Sequence, residues 1–187
     1  YEKVRRAIGT IYLLMFSMAI VLSSIGLIFI DQILDLVNVP GDVLPMAKSY
    51  ITIIIAGLVV FFGFNGTSAI LRGLGDSKTP MYFMIISTLT NIGLDLLFVI
   101  KFQWGISGAA FATLISQGGA FVTAIIYLNR THKLISIRFR DFIFDVQIFL
   151  QSLRIGLPTG LQHTFVALGM MALLKIVNDF GTNVIAA

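Results

Sequence analysis

The feature that most limits what this 187-residue chain can become is the recurrence of long, nearly uncharged apolar stretches. They cover roughly 8–32, 44–72, 80–102, 106–128 and 156–180, and each has the ~20 residues that a helix needs to cross a hydrocarbon core. The stretches are rich in Leu, Ile, Met, Phe and Ala, and they lack the ~10-residue alternation of an outer-membrane barrel. The expected fold class is therefore all-α: a polytopic membrane helix bundle with about five spans here. Composition agrees, because 57% of residues are apolar and 12% charged, with a mean hydropathy of +0.95, whereas soluble domains hold roughly half and a quarter.

The isoelectric point near 9.6 follows from topology rather than from a nucleic-acid surface. Basic residues sit in the short connections between apolar stretches, not on a solvated face interleaved with aromatics. One set of ends holds Lys3, Arg5, Arg6, Arg72, Lys78, Arg130, Lys133, Arg138, Arg140 and Arg154. The opposite set holds Lys48 and Lys101 beside Asp31, Asp35 and Asp42. The positive-inside rule then places Tyr1 in the cytoplasm and the final residues outside, in a plasma (inner) membrane. Opening at Tyr1 without Met, and entering a span within a few residues, the chain reads as a piece of a longer polypeptide with helices missing on both sides.

The first helix ends in DQILDLVNVPGD, where Asp31, Asn38, Pro40 and Gly41 are turn formers. The second reads as one long helix from about Val43 to RGLGDSKTP, where Gly73 and Gly75 permit positive φ, Ser77 or Thr79 can cap the next helix, and Pro80 suits its start. Helices three and four are joined only by KFQWG, which makes them antiparallel neighbours with Trp104 at interface depth. Beyond helix four the connection NRTHKLISIRFRDFIFDVQ is basic, and Phe139, Phe142, Ile143, Val146, Phe149, Leu150 and Leu153 recur at helical spacing. That is the pattern of an interfacial amphipathic helix. The organisation expected is four helices over 1–128, a basic linker over 129–154 and a further helix over 155–187.

Enzymatic chemistry finds no foothold. Cysteine is absent and the two histidines, His132 and His163, stand alone in sequence. The run GLGDSKT has Ser77 where a phosphate loop needs glycine before its lysine. The informative residue is Asp95, inside NIGLDLLFVI, because a carboxylate within a span costs ~2.5–3.5 kcal/mol on insertion scales and must face a partner or a wet cavity. Asn91 lies one turn earlier on the same face. Thr113, about seven residues into the next helix, sits at the same depth, about 10 Å below the outer surface at 1.5 Å per residue. These three oxygen-bearing groups suit Na⁺ or, with the carboxylate desolvated, a proton. Static pairing of Asp95 with a neighbouring helix is the alternative.

Other polar residues are open to two readings. Asn65 lines a cavity or lies in a close-packing stripe with Gly63, Gly66, Thr67, Ser68 and Ala69. Pro158, framed by Gly156 and Gly160, is a moving bend or merely a helix start. Gln162 and Asn178 contact substrate or join helices, and Lys175 and Asp179 are spaced to pair.

The run GTSAILRGLGDSKTPMYF, then NIGLDLLF, then WGISGAAFATLISQ, and after the linker LRIGLPTGLQ, resembles the multidrug and toxic compound extrusion (MATE) family in order and spacing. The resemblance covers nearly the whole chain, from before the family's third helix into its seventh. It implies twelve helices in two six-helix lobes, with this chain supplying the last four helices of the first lobe, the linker and the first helix of the second. It implies export of small organic, often cationic, compounds in exchange for Na⁺ or H⁺, with no other cofactor, and Asn91, Asp95 and Thr113 matching the family's first-lobe cation site. That site also draws a carboxylate from the family's first helix, which this chain does not hold. Within the wider superfamily a lipid-linked oligosaccharide flippase is the alternative, one expected to line its cavity with more basic residues than Lys175 alone. A non-transporting membrane scaffold is a third reading.

Overall fold

A computed structural model describes residues 2–36, 41–131 and 144–179, and every regular element among them is helical. In chain order these are α1 (Glu2–Ile28), α2 (Ile30–Leu36), α3 (Leu44–Ala56), α4 (Leu58–Gly73), α5 (Lys78–Asp95) with a π-helical continuation (Leu96–Lys101), α6 (Gly105–Thr131) and α7 (Val146–Asp179). The chain divides into two units, Tyr1–Phe144 and Asp145–Ala187. The turn residues Asn38 and Pro40, and the expected amphipathic positions Phe139, Phe142 and Ile143, lie outside the described residues.

Among the described residues three helical segments are long and apolar enough to span a bilayer: Lys3–Ile28, Lys78–Lys101 and Gly105–Thr131. The pair α3 and α4 makes a fourth span, bent by 47°. The chain is thus a multi-pass helical membrane protein. The expected fifth span falls in α7, which is not among these apolar segments of the described residues.

Two expectations about continuity change. The second apolar stretch, read as one helix, is broken at Gly57, whose N–H is shared between the Ile53 and Ile54 carbonyls at 3.0 and 3.1 Å. Hydropathy is blind to such a break because both halves remain apolar. Conversely, the second half of the amphipathic pattern and the final stretch join in one 34-residue helix, α7, that runs through Pro158. Asp145 starts it by accepting the N–H groups of Gln147 and Ile148 at 3.0 and 3.2 Å, the standard way an Asx residue satisfies a helix's orphan donors. Proline removes one backbone bond, to the carbonyl four residues back, and a long helix survives that loss.

In the first unit α1, α4 and α6 form a tight seam. Leu71 and Leu128 are fully buried with Ile8, Tyr12 and Ile70, and Phe64 packs on Ala120 and Ala124. Helices in lipid gain from close van der Waals approach rather than from expelling water, so small residues mark the seam. A Cβ at Gly63 would come within 2.5 Å of the Phe121 ring, and one at Gly66 would strike the Met15 sulfur. Gly63, Gly66, Thr67 and Ser68 of this stripe are buried in the seam, whereas Asn65 and Ala69 are exposed. Thr67 donates to the Gly63 carbonyl at 2.8 Å, so the phenol of Tyr12 serves as donor to Thr67 Oγ1 at 2.6 Å.

At the basic end α4 stops in a Schellman turn. Gly75, at φ +90°, donates to the Arg72 carbonyl at 3.0 Å, and Asp76 N–H reaches back to Leu71 at 2.9 Å. Of the two glycines read as turn formers, Gly75 takes the left-handed conformation while Gly73 stays helical. The cap of α5 comes from Asp76, whose Oδ1 accepts the Thr79 N–H at 3.0 Å, rather than from Ser77 or Thr79. At the other end the hairpin expected from KFQWG is present. Gln103 and Gly105 both have positive φ, and Trp104 stacks on Phe98 with ring centres 5.1 Å apart.

Candidate cation site

The antiparallel pairing of α5 and α6 brings two of the three expected site residues together. Asn91 Nδ2 donates to Thr113 Oγ1 at 3.4 Å, near the outer limit of a hydrogen bond. Thr113 itself donates to the Ala109 carbonyl at 3.0 Å, which leaves its lone pairs facing α5. Asp95 stands one turn from Asn91, about 6 Å along the axis at 1.5 Å per residue. Its Oδ1 is buried and has no hydrogen-bond partner among the described residues. A carboxylate oxygen withdrawn from solvent and left unbonded is costly, roughly 1–3 kcal/mol or more, so it is a place where a cation or proton gains most.

Two features of the site were not visible in the residues beforehand. The helix changes to π geometry directly after Asp95, with Phe102 N–H bonding the Leu97 carbonyl at 3.0 Å, and such segments recur at functional sites. Nothing in LLFVIK announces it; the only available signal was the tight aromatic hairpin that follows. Gln117, one turn from Thr113 on α6, also carries a buried side-chain oxygen with no partner among the described residues. Gln117 is not among the site residues expected from the sequence, and its spacing of one turn from Thr113 on the same helix face is the signal that could have found it. On a different face of the same helix pair, an open groove of about 210 Å³ is edged by the hydroxyls of Ser87, Thr90, Ser116 and Thr123.

The remaining candidates do not join this cluster. Asn65 is exposed and its amide donates to the Phe61 carbonyl of its own helix at 2.8 Å. Pro158 and Gln162 are exposed on α7 in the second unit, and the side chain of Asn178 lies outside the described residues.

A second carboxylate shows the contrast. Asp76 accepts from Thr79 and, through Oδ2, from the Tyr127 hydroxyl at 3.0 Å. Its bonds to Thr79, with Tyr127 adding to them, hold its pKa below the ordinary aspartate value. It is a satisfied structural acceptor, whereas Asp95 is an unsatisfied one.

Against known proteins, the MatE family model matches residues 1–97. The chain is 34% identical to the probable multidrug resistance protein YpnP of Bacillus subtilis over 96% of its own length and 40% of that protein's. It is 33% identical to the probable multidrug resistance protein YoeA of the same organism, over 100% of this chain and 42% of that protein. A crystal structure of MATE in complex with MaD3S superposes with a TM-score of 0.87 at 26% identity, covering 97% of this chain and 41% of that one. The chain therefore spans about 40% of the length of its curated relatives. With the family model covering more than half of its residues and its helices superposing on a solved member, the chain belongs to the MATE (MatE) family.

Proposed function

We propose that this chain forms part of a cation-coupled antiporter that exports small organic, often cationic, compounds across the plasma membrane, with Asp95, Asn91 and Thr113 as its coupling site. The observation that carries this reading is the unbonded, buried Oδ1 of Asp95 one turn from the Asn91–Thr113 contact. Carboxylate, amide and hydroxyl oxygens at one depth suit a hard monovalent cation, and the same carboxylate accepts a proton equally well. Binding there lowers the free energy of whichever lobe conformation closes around the ion, and the gradient thereby drives the exchange between outward and inward states. The names of relatives such as YpnP and YoeA support drug export, and the distribution of basic residues supports a cytoplasmic Tyr1 end. The cycle is binding and conformational change, with no covalent step.

The test is efflux of a fluorescent organic cation from vesicles holding the full-length protein, under imposed Na⁺ and H⁺ gradients. Wild type is expected to respond to one gradient and Asp95→Asn to neither. Gradient-driven efflux retained by Asp95→Asn removes the role given to Asp95, and no efflux by wild type under either gradient favours the flippase or scaffold reading.

A further inference from the structure

The break between α3 and α4 is seated against the helix that carries Thr113. Gly57 is buried, and a Cβ built on it would collide with the Leu114 side chain, lying 2.9 Å from its Cγ and 3.0 Å from Cδ1 as well as overlapping Cδ2. The whole isopropyl head of Leu114 occupies the notch, so a methyl at residue 57 is not accommodated by swinging one terminal atom aside. The notch exists because the chain bends there by 47°. On the side facing α1 the bend is held by Ser23, whose Oγ donates to the Ile55 carbonyl at 2.8 Å, while Gly26 of α1 gives Ile55 room, with its missing Cβ 3.0 Å from Ile55 Cγ2.

Leu114 and Thr113 are consecutive residues of α6, so they point about 100° apart from one rigid turn. One side chain faces the α3–α4 break, and the other takes the hydrogen bond from Asn91 of α5. We infer that Gly57 is a positioning residue for the cation site: by accepting Leu114 it fixes the roll of α6 and so sets where the Thr113 hydroxyl stands relative to Asn91. The inference rests on the coupling-site reading of Asp95, Asn91 and Thr113. Geometry makes the linkage sensitive. The Asn91–Thr113 contact is 3.4 Å long, and a further displacement of about 0.5 Å carries it past hydrogen-bond range. A methyl at residue 57 presses on the whole isopropyl head of half-buried Leu114, and a shift of α6 that relieves the overlap comes at the expense of the Thr113 contact.

The experiment measures the half-saturating concentration of the coupling ion, and the maximal efflux rate, in the full-length protein. Gly57→Ala is expected to raise the half-saturating ion concentration about tenfold with the maximal rate changed far less, and Leu114→Ala to raise it a few-fold by loosening α6. The double variant Gly57→Ala/Leu114→Ala, in which the new methyl occupies space that Leu114 has vacated, is expected to return to within about threefold of wild type, the non-additivity of residues that share one space. If Gly57→Ala does not fold, Leu114→Ala and the double variant still decide the matter: equal ion dependence in wild type and Leu114→Ala overturns the inference. Thr113→Ala separates the two levels. An ion dependence altered by Thr113→Ala but untouched by Gly57→Ala and Leu114→Ala sinks this inference alone, whereas an ion dependence untouched by Thr113→Ala and by Asp95→Asn sinks the coupling site and the inference with it.

Discussion

The two ends of the first unit treat their polar groups in opposite ways. Toward the basic end the seam and its turn carry a chain of made bonds, Tyr12 to Thr67, Thr67 to Gly63, and Tyr127 and Thr79 to Asp76, with Ser68 Oγ the exception, buried and unbonded among the described residues. Toward the Trp104 hairpin the bonds thin out. Asn91 reaches Thr113 only at 3.4 Å, Asp95 keeps an unbonded buried oxygen, and the helix widens into π geometry just beyond it. A satisfied network in a low-dielectric interior fixes one arrangement, while an unsatisfied one favours whatever ligand completes it. The basic end thus holds the helices together, and under the proposed coupling role the hairpin end is where an ion has something to gain.

The comparison breaks most sharply at the site itself. Asn91→Ala and Thr113→Val should each raise the half-saturating concentration of the coupling ion by about three- to tenfold, the loss of one oxygen ligand or its positioning bond being worth ~1 kcal/mol; dose–response of efflux in vesicles checks this. A separate effect, on stability and not on ion dependence, is expected at the seam. Thr67→Val takes from the buried Tyr12 hydroxyl its bond to Thr67 and should cost ~1–3 kcal/mol, whereas the double variant Tyr12→Phe/Thr67→Val removes both groups and should recover much of that. Thermal unfolding in detergent reads both, and an unchanged Tm for Thr67→Val contradicts the seam's role.

Asp76 sharpens the contrast through pH. Its pKa is lowered on folding from the ordinary 3.8, so its stabilising bonds are fully present above that value and are lost only as pH falls through the lower folded value. Asp76→Asn should therefore lower Tm by the same small amount at pH 5.5 and pH 8, the gap closing only below about pH 4. Any pH dependence of transport near neutrality should survive this substitution, as pH–rate profiles of the two proteins test. The smallest effect is expected at Asn65, exposed and bonded within its own helix: Asn65→Ala should leave both efflux and Tm within error.

Much of this was legible in the residues because it depends on local pattern. Apolar length marked the spans, Gly63, Gly66, Thr67 and Ser68 marked the seam while Asn65 and Ala69 of the same stripe face outward, and the spacing of Asn91, Asp95 and Thr113 across a short hairpin placed Asn91 beside Thr113. What escaped depends on partners distant in sequence. The break at Gly57 is seated on Leu114 and held by the Ser23–Ile55 bond, and neither partner is signalled by the apolar run around it. The α5 cap lies at Asp76 rather than at Ser77 or Thr79 because the Schellman turn at Gly75 sets the carboxylate, not a hydroxyl, against the N–H of Thr79. The continuity of α7 through Pro158 escaped because proline punctuates helices on average, while a long apolar helix tolerates one missing bond.

The most direct test of the central claim is ion binding without transport: the Tm of purified full-length protein, followed against Na⁺ at fixed pH and against pH without Na⁺, for wild type and Asp95→Asn. A bound ion raises stability by RT ln(1 + [L]/Kd). The account predicts a rise in Tm with one of the two ions in wild type and a flat response in Asp95→Asn. An equal ion-dependent rise in both proteins would contradict it.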